Sequence, residues 1–199
     1  MGSYLFVAGA RPARLREAGP PDDRPDGPGG WVRLPPGEAG LRATRAVVTP
    51  GLAGVCAAAA CSAPELAALA AALAEAEEAV GLPVGTIAVM PALETAAGVL
   101  GAAELARAPR VSRLLLGEAA LRAELRMAPG PDEGELLWLR STVVVASAAA
   151  RIGAPVADEC PDQGRFAESC AALARLGFGG RLCADDGQLR LAGEIFAST

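Results

Sequence analysis

A chain of 199 residues without a histidine has few groups able to do chemistry. Its 18 basic residues are all arginine, so lysine is absent as well. Without lysine there is no side-chain Schiff base. Without histidine there is no imidazole base, no Ser–His or Cys–His pair and no imidazole metal ligand. Carboxylates, thiols, hydroxyls, guanidinium groups and Tyr4 remain. The acid that stands out among them is Glu94, which directly follows the eight-residue run Thr86-Ile87-Ala88-Val89-Met90-Pro91-Ala92-Leu93. A carboxylate at the end of so apolar a segment needs a metal, an arginine or a substrate to offset its desolvation. Glu118, Asp158, Asp185 and Asp186 also fall just beyond short apolar runs, in loops where acids commonly sit.

The elements that must position these acids alternate in type. Tyr4–Ala8 is a short apolar run closed by Gly9 and reads as a buried first strand, and Leu15 and its neighbours read as the start of a short helix. Residues 19–30 are mostly Gly, Pro and Asp, a composition that builds no core. Strands are expected at 31–34, 54–58, 86–93, 111–116, 155–157 and 180–184. Helices are expected from Ser62 or Ala63 to Val80, with Ser62 and Glu65 as a capping box, and over 97–108, 118–126, 135–152 and 163–176, with one more at the C-terminus. Repeated strand–helix units imply parallel strands with right-handed crossovers. The expected architecture is an α/β barrel of the TIM type with about seven strands. The competing open α/β sheet lacks support from any GxGxxG or GxxxxGK[ST] pattern. Barrel and open sheet both place functional groups at the C-terminal ends of the strands.

Composition sets the outer bounds. With 52% hydrophobic and 21% charged residues, residues 1–199 read as a single domain able to bury a full core. A net charge of −5 with scattered arginines argues against a nucleic-acid surface. The Ala-rich runs are interrupted by Cys61 and Glu75 before they reach membrane-spanning length. The N-terminus shows no secretory pattern, and five cysteines without a CxxC pair read as reduced core thiols, so a soluble cytoplasmic protein is expected.

Several segments, taken in order, resemble the citrate lyase β-subunit-like branch of the HpcH/HpaI aldolase family. These are Leu5–Gly9 with Arg11-Pro12, Val32-Arg33-Leu34, Ala92-Leu93-Glu94-Thr95 with Gly98-Val99, Leu115-Leu116-Gly117, and Leu176–Arg181 with Gln188 and Ile195-Phe196. The resemblance implies a TIM-type barrel that makes or breaks a carbon–carbon bond beside a carbonyl, commonly in acyl-CoA substrates of the citryl-CoA or malyl-CoA type, using Mg2+. It also implies that Glu94 is the glutamate ligand of that ion and that Arg33 holds the substrate's oxygen atoms, where a planar fork suits a carboxylate or a developing enolate. Gly9, Arg11 and Arg14 fall where the family meets substrate and the CoA phosphates.

The departures from the family pattern concern the same chemistry. The family's second strand, with its Asp-Leu-Glu-Asp motif, has only the 19–30 stretch in its place, so one βα unit is expected to be missing. The aspartate expected three residues after Gly117, as second metal ligand, is Ala120, and Glu118 is the nearest residue able to replace it. A lysine after the Gly54 strand and an Ile-His-Pro near the C-terminus are also replaced, the latter by Ala184-Asp185-Asp186. Two readings follow. In the first, the chain has lost the magnesium-dependent lyase reaction and acts as a binding or partner subunit, or as a metal-independent enzyme, with no covalently bound cofactor. In the second it is an active lyase on an acyl-CoA ester or small oxo acid, recruiting Glu118, Asp158 or Asp185. A gap left by the missing unit predicts a homo-oligomer, with Trp31 and Trp138 in the core or between subunits.

Overall fold

The computed structural model describes residues 3–7, 13–18, 29–160 and 162–197. Eight strands close into a barrel in sequence order. They are β1 (Ser3–Val7), β2 (Ala13–Glu17), β3 (Gly30–Leu34), β4 (Leu52–Ala57), β5 (Ala88–Leu93), β6 (Leu115–Leu116), β7 (Val156–Ala157) and β8 (Gly180–Cys183). Strands β2 to β8 run parallel to one another, and β1 is antiparallel to both its neighbours, β2 and β8. The barrel therefore has one strand more than the seven read from sequence, and the extra one is β2. Residues 13–17 were expected to begin a helix. Their alternation, with Leu15 buried between the partly or fully exposed Arg14 and Arg16, is instead the period of a strand that pairs with β1 and β3. The missing βα unit thus leaves no gap, because a hairpin strand fills its place in the wall.

Helices pack outside the wall: α1 (Glu38–Val47), α2 (Ala63–Ala79), α3 (Ala96–Leu100), α4 (Ala102–Leu105), α5 (Glu118–Leu125), α6 (Leu137–Ala150), α7 (Phe166–Leu176) and α8 (Asp186–Ala197). Helix α1 was not anticipated. It buries Gly40, Thr44 and Val47 on one face, and Gly40 is needed there because a Cβ would lie 2.2 Å from the Pro35 carbonyl oxygen. The expected capping box at the start of α2 does not form: Ser62 makes no side-chain cap bond, and Glu65 accepts at 3.3 Å from the amide of Cys61, the residue before the cap. The single helix expected over 97–108 is split into α3 and α4 at Gly101.

Strand alternation sorts the apolar residues into two layers. Leu5, Val7, Leu15, Cys56, Met90, Ala92, Leu115, Val156 and Leu182 fill the barrel interior together with Trp31. Val32, Leu34, Val55, Val89, Leu93, Leu114 and Leu116 face outward onto the helices. Trp31 fits inside because its neighbour on β4 is glycine: a Cβ at Gly54 would lie 2.5 Å from the indole ring. Four of the five cysteines are buried as expected, but Cys61 is exposed. Among the described residues no helix is long and apolar enough to cross a membrane.

Candidate functional site

The same two-residue period places four polar side chains at one end of the barrel. Glu17 follows Leu15, Arg33 follows Trp31, Glu94 follows Ala92 and Asp158 follows Val156. Each is two positions beyond an interior residue, so each points inward at the C-terminal end of its strand. They line a cavity of about 180 Å³ with Leu15, Glu159 and Leu182. This is the mouth at which parallel barrels carry their chemistry.

Arg33 is the hub of the mouth. Its Nη2 donates to Glu94 Oε1, its Nε lies 3.4 Å from Glu17 Oε1, and its Nη1 lies 3.9 Å from the Cys56 sulfur. The other oxygen of Glu94 accepts from the Ala59 amide at 2.8 Å. Ala59 presents that amide from a left-handed backbone conformation, φ 47°, which a β-carbon disfavours. Glycine at position 117 leaves room for Glu94, since a Cβ there would stand 2.6 Å from Glu94 Cγ. Both Glu94 oxygens are therefore bound within the protein, one by a cation and one by the backbone.

Among the described residues, Glu17, Glu94, Asp158 and Glu159 line the mouth with Arg33. Burial raises the Asp158 carboxyl above the ordinary aspartate range, and the Glu94 charge adds to the shift, against the Glu159 amide and Arg33, which pull the other way. Burial likewise pushes the Cys56 thiol up to about 12, although Arg33 lies beside it, so it stays protonated and is no nucleophile.

The other residues singled out in the sequence fall into three groups. Glu118, the expected replacement ligand, is buried on α5 with its two oxygens bound by Arg140 of α6 at 2.6 and 3.0 Å. It serves the contact between these helices and offers no free oxygen to Glu94. Arg14 alternates with Leu15 and so lies on the outer side of β2, exposed, with its guanidinium 5.4 Å from the centre of the Tyr4 ring. Asp185 caps α8 by accepting from the Gln188 amide at 2.8 Å, and Asp186 opens that helix. Gly9 and Arg11 lie outside the described residues. Sequence reasoning missed Glu17 and Glu159 at the mouth. The Ala13–Leu15–Glu17 alternation held the signal for Glu17, and Glu159 is simply the residue after Asp158.

These donors do not fit the family's magnesium ion. A divalent ion of this kind takes several oxygen ligands, usually with two carboxylates from the protein. Here Glu94 is bound on both sides, and Ala120, where the family resemblance puts a second ligand, has no oxygen to offer and lies exposed on α5. Among the described residues no group of three or more Cys, Asp or Glu side chains is arranged to hold a metal.

Fold and site together define an α/β barrel with an arginine–carboxylate mouth. Residues 29–186 match the model of the HpcH/HpaI aldolase/citrate lyase family, and the chain belongs to that family. It is 31% identical over 130 residues to the citrate lyase β subunit of Leuconostoc mesenteroides subsp. cremoris, covering 64% of this chain and 43% of that one. It is 29% identical over 126 residues to the β subunit from Escherichia coli K12, covering 62% and 42%. The chain therefore matches less than half the length of these relatives. Among solved structures, RipC from Yersinia pestis superimposes with a TM-score of 0.73 at 18% identity, covering 86% of this chain and 78% of that one. Protein CitE of Mycobacterium tuberculosis, in complex with magnesium and acetoacetate, does so with a TM-score of 0.67 at 22% identity, covering 84% and 67%. At these identities the likeness establishes the fold.

Proposed function

We propose that this chain is a citrate lyase β-like barrel without the family's magnesium-dependent lyase step, serving as a binding or partner subunit. One observation carries the reading: the carboxylate at the family's metal-ligand position, Glu94, is paired with Arg33 and the Ala59 amide, while Ala120 offers no second ligand. A guanidinium held between Glu94 and Glu17 still has the planar fork that suits a carboxylate, and a small oxo acid could compete with Glu17 for it. Glu17 is the weaker holder, since its side chain is 71% exposed against 16% for Glu94. Oxaloacetate and acetoacetate, which bind the M. tuberculosis relatives with magnesium, are the first ligands to offer. Acyl-CoA esters come second, because Arg14 is turned outward onto Tyr4.

The test is turnover. The chain is offered citryl-CoA and malyl-CoA with magnesium, beside an Ala120→Asp variant. No cleavage by the native protein is expected, and magnesium-dependent cleavage abolished by Glu94→Ala would refute the proposal. The opposing reading, an active carbon–carbon lyase, is favoured by Asp158 and Glu159 lining the mouth beside Glu94. It requires these two to supply the oxygen ligands that Ala120 and Glu118 do not, and the same assay decides between the readings.

A further inference from the structure

Helix α6 turns an uncharged face to solvent. Of its 14 residues only Arg140 is charged, and Arg140 is buried against Glu118 and Glu133. Helical periodicity puts Leu137, Trp138, Ser141, Val145, Ala148 and Ala149 on the outer face. Leu137, Trp138 and Val145 are 52%, 60% and 67% exposed. The Thr142 hydroxyl, at the margin of this face, donates back to the Trp138 carbonyl at 2.8 Å.

We propose that a second copy of this chain docks on this face, the two α6 helices crossing antiparallel about a two-fold axis midway between Ser141 and Val145. Three features fit a second copy. Copies carrying a net charge of −5 repel one another, and an uncharged face is where they can meet at least electrostatic cost. The face is also self-complementary in size. Its bulky residues, Leu137 and Trp138, lie in the first turn and its small ones, Ala148 and Ala149, in the last, so the two-fold sets Trp138 over Ala148 of the other copy, twice. The ends match in charge as well. The acidic turn at 132–135 precedes the helix and exposed Arg151 follows it, so the two-fold sets Arg151 at the acidic end of the other copy's helix, opposite Glu135, which Arg122 of its own chain also holds. A helix of this length is about 21 Å long and about 10 Å wide. That strip falls short of the roughly 800 Å² per partner of a standard interface, so a weak association is expected.

Sedimentation velocity on the full chain from about 1 μM to about 1 mM tests the surface. The native protein is expected to pass from monomer to dimer over that range. Val145→Arg, which sets two guanidinium groups near the axis, is expected to weaken association about tenfold or more. Both Val145 and Trp138 are exposed, and an unchanged circular dichroism melt shows that the variants fold. In a Cys61→Ser background, Trp138→Cys protein mixed with Ala148→Cys protein is expected to form a disulfide-linked dimer. Neither is expected to do so alone, because like positions lie about 15 Å apart across the axis. A native monomer at every concentration, a Val145→Arg variant that associates as well as the native chain, or Trp138→Cys protein that links readily to itself would overturn the proposal.

Discussion

At the scale of single residues, the mouth is governed by how one arginine is shared. Arg33 touches Glu94, Glu17 and the Cys56 sulfur, and the remaining acid on the inner face, Asp158, lies nearby in a setting too buried for its charge. The sign of that effect can be tested. A carboxyl raised above its unfolded value holds its proton more tightly in the folded state. Stability therefore falls as pH rises from the ordinary aspartate pKa, about 3.9, through the raised folded value, above which the whole penalty is present. Asp158→Asn is expected to raise the thermal midpoint at pH 7, with the gain shrinking as the pH is lowered towards the ordinary aspartate range. A gain that is absent at pH 7, or that grows on acidification, would show that Asp158 is held charged by its neighbours. Glu94 was conspicuous in the sequence as a charge at the end of an apolar run, whereas Arg33 was singled out only through the family resemblance. Their direct pairing was not legible, because nothing in a linear sequence tells an arginine on β3 that its partner 61 residues on will be a carboxylate and not a ligand.

At the scale of elements, the position of Glu94 depends on two short segments that carry no charge at the site. The turn after β4 offers the Ala59 amide, and the junction of β6 with α5 offers the empty space at Gly117. Gly117→Ala would place a methyl group against Glu94 Cγ. It is expected to cost about 1–3 kcal/mol, the usual range for overpacking a close contact, and to disturb the Glu94–Arg33 pair. Chemical denaturation measures the loss, and a change below about 0.5 kcal/mol would show that the turn yields freely. Elsewhere, buried Glu77 ties the end of α2 to the start of β5 by accepting from the Ile87 amide at 2.6 Å, the Gly85 amide at 2.8 Å and Arg110 at 2.8 Å. Most strand–helix units were legible because their apolar runs end in Gly or Pro. Strand β2 was not, since one buried leucine among arginines gives a two-residue period too brief to tell from a helical turn. The pairing of Glu118 was not legible for a related reason: the first residue of a helix beside the mouth can face either the mouth or the next helix, and here it meets Arg140 on α6.

At the scale of the whole molecule, the antiparallel β1–β2 hairpin lets a shortened chain close an eight-strand barrel. Closure keeps every strand among the described residues paired, with no open edge among them for a partner to cover. The outward face of α6 is then the place where a second copy finds a complementary surface. In the proposed reading fold and chemistry separate, as they can in any widely used barrel. The most direct measurement is isothermal titration of the purified chain with magnesium, with and without oxaloacetate, beside Glu94→Ala. The expected result is no magnesium binding at millimolar concentration in either protein, because Glu94 is already held by Arg33 and the Ala59 amide. Binding by the native chain that vanishes in Glu94→Ala would mean that the ion displaces Arg33 and that the family's metal site is intact.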